Sequence, residues 1–185
     1  MGQITRSRHV DAPRADVWRW ISDYTNIHRF HPLLSAVHQE TAEACGIGAV
    51  RRCDLKDGNF LRERVVAWNE GEGYRVEIFD SSMPLSRAFA TLGVRDAAGG
   101  AEAYMILDYT VRFGPLGWLM DVMMMRRMMG GMMERVLAGL AQAVEAAPVL
   151  HQTAREGVIP PSAAASHPCA CQPSARKPAG TCSPF

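Results

Sequence analysis

The sequence predicts an α+β fold: a curved antiparallel β-sheet wrapped around a long C-terminal helix, in the order β-α-α-β₆-α, with a disordered C-terminal tail. Three observations carry this. From residue 36 onward, strand-like runs rich in apolar and β-forming residues are separated by Gly-containing turns. The stretch Pro115–Ala146 places Trp118, Val122, Met125, Met129, Met132, Met133, Val136, Leu140 and Ala143 on one side of a helix. Asp121, Arg127, Glu134, Arg135, Gln142 and Glu145 fall on the other, which is the pattern of a helix buried along a wide face. Past Ala146 the composition changes: seven of the 11 prolines lie in residues 147–185, among Ala and Ser with few large apolar residues. Such a segment buries too little surface to offset its ordering entropy. The chain therefore divides into a domain of residues 1–146 and a tail of residues 147–185.

The elements follow in order. Gln3–Val10 reads as a strand. Asp11-Ala12-Pro13 opens a helix, with Asp11 as cap, Pro13 in the first turn, and Val17, Trp18 and Ile21 as its apolar stripe. A second short helix spans roughly Tyr24–Phe30 and stops at His31-Pro32. Six strands are expected at Ala36–Thr41, Ala49–Leu55, Phe60–Trp68, Tyr74–Phe79, Ser86–Val94 and Glu102–Phe113. The turn signals between them are Cys45-Gly46-Ile47-Gly48, Lys56-Asp57-Gly58-Asn59, Glu70-Gly71-Glu72-Gly73 and Ala98-Gly99-Gly100. Gly114-Pro115 ends the last strand, and Gly130-Gly131 should weaken or bend the long helix.

A chain of 185 residues with 48% hydrophobic and 21% charged residues can build one domain with a real core. A formal charge of +1 supplies no global field for nucleic acid. The N-terminus carries no apolar export segment, and no uncharged run reaches the ~18 residues of a transmembrane span, so a cytoplasmic location is expected. An odd number of cysteines without an export signal argues against a disulfide framework.

A helix laid on a bent sheet encloses a hollow, and strand alternation says which side chains line it. Arg51, Cys53 and Leu55 share one face; Leu61, Glu63, Val65 and Ala67 share the next. The Lys56–Asn59 turn brings Arg51 near Glu63. Tyr74, Val76 and Ile78 form the apolar face of their strand; Phe89, Thr91 and Gly93 share a face, as do Tyr104, Ile106, Asp108 and Thr110. The expected ligand-binding set is thus Cys53, Leu61, Tyr74, Val76, Ile78, Phe89, Tyr104 and Ile106, with Met125, Met129 and Met132 from the helix. Among the few polar groups, Arg51 and Glu63 should pair, because an unpaired buried charge is costly. Asp108 has no obvious cationic partner, so Asp108, Glu63 and Arg51 are the candidate acid-base groups, against the plainer reading of a structural ion pair and an Asp108 near solvent. Tyr24, Phe30 and His31 close one end.

Taken in order, Asp11-Ala12-Pro13, Val17-Trp18, Ile21-Ser22-Asp23-Tyr24, Gly46-Ile47-Gly48-Ala49-Val50-Arg51, Asp57-Gly58, Arg62-Glu63-Arg64-Val65, Met83-Pro84-Leu85 and Phe113-Gly114-Pro115-Leu116-Gly117-Trp118 resemble the polyketide cyclase/dehydrase and lipid-transport branch of the START-like (Bet v 1-like, SRPBCC) superfamily. The resemblance covers about residues 3–146 and leaves out the tail. It implies a helix-grip fold and turns the positions of Glu63, Phe89 and Asp108 toward the cavity. It also implies a small hydrophobic molecule or lipid as ligand, or, alternatively, aromatase/cyclase or dehydratase chemistry on a polyketide-like chain. The chain has no nucleophile elbow, phosphate-binding Gly loop, dinucleotide fingerprint or HExxH.

Eight of the 11 methionines lie between residues 120 and 133. Met120, Met123, Met124 and Met128 fall on or beside the polar side. A homodimer contact, a membrane-surface contact beside Arg126 and Arg127, and thioether ligation of Cu(I) are the open uses, against simple replacement of leucine. In the tail, His167, Cys169, Cys171 and Cys182 could hold a soft metal ion such as Cu or Zn, although the spacing is not that of a structural zinc site. No other cofactor is expected.

Overall fold

Each strand run is long enough to pair and each Gly-containing turn tight enough to reverse the chain, so neighbours in sequence become neighbours in the sheet. The computed structural model describes residues 2–82, 85–111 and 126–147. Its strands are β1 (Gly2–Val10), β2 (Leu34–Gln39), β3 (Val50–Leu55), β4 (Phe60–Asn69), β5 (Gly73–Ser81), β6 (Leu85–Ala97) and β7 (Gly100–Val111). They form one seven-stranded sheet in the order β1-β7-β6-β5-β4-β3-β2, antiparallel throughout. Helix α1 (Arg14–Ser22) and a 3₁₀ helix (Tyr24–Arg29) connect β1 to β2, and helix α2 (Arg126–Ala146) follows β7.

Helix α1 begins at Arg14 with Pro13 at its cap position and no side-chain cap. The expected Asp11 cap does not form. Instead the Asp11 backbone N–H donates to Glu145 Oε1 at 3.2 Å, tying the end of β1 to the last turn of α2. The second expected helix is a 3₁₀ segment, kinked at Asn26.

Helix α2 packs against β1, α1 and β7. Met129, Met133, Val136, Leu137, Leu140, Ala141 and Val144 are its buried side chains, while Arg127, Glu134, Arg135, Gln142 and Glu145 are exposed. The apolar face is therefore rotated from the expected one: Leu137, Ala141 and Val144 belong to it, and Met132 and Ala143 lie at its margin. The part of the expected helix before Arg126, with Trp118, Asp121, Val122, Met125 and the methionines at 120, 123 and 124, lies outside the described residues, as do residues 148–185.

Two glycines of α2 are explained by close approach. A Cβ at Gly139 would lie 2.1 Å from the Phe30 carbonyl oxygen, so glycine lets the end of the 3₁₀ helix touch α2. A Cβ at Gly130 would lie 2.6 Å from Arg6 Nη2, and Arg6 Nε donates to Glu134 Oε1 at 2.8 Å, locking β1 to α2. The helix runs unbroken through Gly130-Gly131.

The main core gathers Val10, Val17, Trp18, Ile21, Tyr24, Val65, Tyr74, Val136, Leu137 and Leu140, among others. A smaller cluster joins Ile4, Ala88, Leu107, Tyr109, Met129 and Met133. Each large apolar side chain among these contributes about 1.5–3 kcal/mol on burial. Cys53 is a buried free thiol.

Candidate functional site

The hollow opens where β3–β7 curve away from the 3₁₀ helix and α2. Its cavity volume is about 70 Å³, within a wider space of about 580 Å³ that includes open solvent. Among the described residues its wall comprises Ile27, His31, Leu34, Arg51, Cys53, Leu55, Leu61, Glu63, Tyr74, Val76, Ala90, Leu92, Met105 and Met132. Most of these are apolar, and the polar ones cluster at Arg51, Glu63 and His31.

The β3–β4 hairpin builds this polar corner. Gly58 adopts φ 86° in its turn, and the resulting register sets Arg51 directly opposite Glu63. Arg51 Nε and Nη2 both reach Glu63 Oε2, at 2.8 and 2.6 Å, and the two side chains are only 3% and 10% exposed. Arg51 Nη1 donates to the Tyr24 carbonyl, and the guanidinium lies 3.8 Å from the centre of the Tyr24 ring. Burial is the largest single influence and works against the Arg51 cation, but Glu63 together with Tyr74, Cys53 and Tyr24 outweighs it and holds the guanidinium charged.

Burial sets the remaining protonation states. It pushes the Tyr24 and Tyr74 hydroxyls above their usual value. It pushes the Cys53 thiol up to about 12, with Glu63 adding to the effect. It pushes the His31 imidazole down to about 4, assisted by the Arg51 charge. His31 Nδ1 is buried and has no hydrogen-bond partner among the described residues.

Of the residues expected to form the site, Arg51, Glu63, Cys53, Leu61, Tyr74, Val76 and Met132 line the hollow. Ile78 and Met129 instead pack in the smaller core cluster. Phe89, Tyr104, Ile106 and Asp108 are on the opposite face of the sheet. In the register Phe89 opposes Asp108, Thr91 opposes Ile106 and Gly93 opposes Tyr104. The inward set is Ala88, Ala90, Leu92 and Val94 on β6, with Ala101, Ala103, Met105, Leu107 and Tyr109 on β7. The Phe89 ring is flanked by Arg75 and Arg87, at 4.9 and 5.0 Å. Thr91 and Tyr104 border a separate hollow with Arg75 and Ala67. Ala67 is carried outward by a β-bulge between Val65 and Ala67, which leaves Trp68 stacked on Tyr74. Asp108 has a cationic partner after all: Arg75 Nη2 lies at 2.8 Å and Gln3 Nε2 at 2.7 Å from its carboxylate.

The sequence reading missed Ala90, Leu92 and Met105. A signal existed for β7: its polar members Glu102, Asp108 and Thr110 share one parity, which marks the face turned away from the apolar core, although Asp108 is itself buried at 9% exposure. Among the described residues no group of three His, Cys, Asp or Glu side chains is placed to hold a metal ion. The tail residues His167, Cys169, Cys171 and Cys182 lie outside the described residues.

The chain belongs to the family described as polyketide cyclase/dehydrase and lipid transport, whose model matches residues 1–145. No match is found among curated proteins. Among solved structures, a START superfamily protein from Mycobacterium smegmatis is similar at a TM-score of 0.63 and 13% identity, covering 77% of this chain and 97% of its own. A Thermobifida fusca protein is similar at 0.60 and 26% identity, covering 78% and 93%. The protein Ara h 8.0201 is similar at 0.56 and 13%, covering 75% and 97%. These likenesses speak to the fold, a curved antiparallel sheet with a C-terminal helix. No helix among the described residues is long and apolar enough to cross a membrane.

Proposed function

We propose that this protein binds a small hydrophobic molecule or lipid in the hollow between the sheet and α2, acting as a carrier or sensor of helix-grip type. The supporting observation is the wall itself: apolar side chains around one compact polar corner, the usual make-up of a site where few polar atoms orient a ligand. The family's description, which includes lipid transport, agrees with this reading.

Cyclase or dehydratase chemistry is the second reading, and the same family description favours it. It would have to use Arg51 and Glu63, since Asp108 and Tyr104 face away. The protonation states around that corner weigh against it: Tyr24, Tyr74 and Cys53 are driven up and His31 down, away from the poised range a general acid or base needs.

Native mass spectrometry of protein purified from its producing cells tests the binding reading. A small-molecule adduct that organic extraction removes is the expected result. Protein that carries no adduct and takes up no neutral apolar dye, such as N-phenylnaphthylamine, would rule it out. Copper or zinc lost on deleting residues 166–185 would instead support the soft-metal reading of the tail.

A further inference from the structure

We propose that the hollow selects ligands whose polar group is neutral, a hydroxyl or a carbonyl, and discriminates against carboxylates, with His31 as the anchoring residue. This rests on the ligand-binding reading above and adds to it the chemical class of the bound head group.

Two observations carry it. First, the only cation in the wall among the described residues is already paired with a carboxylate. Arg51 gives Nε and Nη2 to Glu63 and Nη1 to the Tyr24 carbonyl, and covers its face with the Tyr24 ring. Three of the five guanidinium N–H donors are thus taken, and the Glu63 carboxylate already matches its charge. An entering carboxylate would be stripped of water beside the Glu63 carboxylate, with no free counter-charge.

Second, the wall has one buried polar atom with nothing to bond among the described residues, His31 Nδ1. Burial keeps this imidazole neutral at physiological pH. A neutral imidazole nitrogen accepts or donates according to its tautomer. It therefore suits a hydroxyl, which does both, or a carbonyl, which accepts. Ile27 and Leu34, on either side of His31 in the chain, and Met132 across the hollow are apolar, so the rest of the ligand meets hydrocarbon.

The test displaces N-phenylnaphthylamine from the full-length protein at neutral pH with n-decanol, methyl decanoate or decanoate. Decanol and the ester should compete at least about tenfold more strongly than decanoate, and His31→Leu should weaken decanol about tenfold relative to its effect on the dye. The nitrogen NMR shift of His31 Nδ1 should move on adding decanol and stay put with decanoate. Decanoate competing as well as decanol, or a His31→Leu protein that binds dye and retains full decanol affinity, overturns the proposal. The comparison in the unmodified protein stands even if the variant fails to fold. Failure of the dye and all three competitors to bind sinks the ligand-binding reading itself, a different outcome from equal binding of acid and alcohol.

Discussion

The Arg51–Glu63 pair shows how much one buried contact can control. Hairpin register brings the two charges together, and that register follows from the Lys56–Asn59 turn, a local feature of the chain. Removing one partner leaves the other charged and dehydrated. Glu63→Gln should therefore cost about 3–5 kcal/mol of stability in urea denaturation. Replacing both, Arg51→Met with Glu63→Leu, should cost far less than the sum of the two single changes. Additive losses would show that the pair is not coupled. Asp108 teaches the opposite lesson. Its partner Arg75 is 33 residues away in sequence, on a strand not adjacent to its own, so no local pattern linked them.

At the scale of elements, glycines in α2 separate contact from propensity. Gly139 is pressed against the Phe30 carbonyl, whereas a Cβ at Gly131 would meet nothing within 4 Å. Gly139→Ala should destabilise by about 1–3 kcal/mol through overpacking. Gly131→Ala should stabilise by about 0.5–1 kcal/mol through reduced unfolded-chain entropy. Thermal melts of the two variants should move in opposite directions; a shared direction would contradict the packing described. Sequence periodicity located α2 and its charged side correctly but could not set its rotation, because Leu137, Ala141 and Val144 are as apolar as Met132 and Ala143. On β6 the same ambiguity arose: Ala88, Ala90, Leu92 and Val94 alternate with Phe89, Thr91 and Gly93, and either set passes for a buried face. The pairing of Tyr74 with Leu92 and of Val76 with Ala90 decides between them.

For the whole molecule, the buried histidine makes stability depend on pH. His31 is held down at about 4 in the fold against an ordinary value near 6.5, so the unfolded chain binds its proton first. Its contribution is complete above pH 6.5 and is lost as pH falls toward 4, with no further loss below. The size is on the order of 3 kcal/mol at most. Denaturation midpoints measured across that interval should fall in the natural protein and flatten in His31→Gln; an unaltered slope would place the loss elsewhere. Met128, 56% exposed on α2, leaves a dimer or membrane-surface contact through the methionines as a proposal for light scattering and vesicle binding to address.

By itself the sequence determined the strands, the turns, the terminal helix and the Arg51–Glu63 corner, because these depend on local periodicity, turn chemistry and hairpin register. Only the tertiary structure decided which face of β6 and β7 looks inward, how α2 is rotated, and that His31 stands unpartnered in the wall among the described residues. Those depend on pairings between distant segments and on which surface the helix covers, and neither is encoded in the spacing of neighbouring residues.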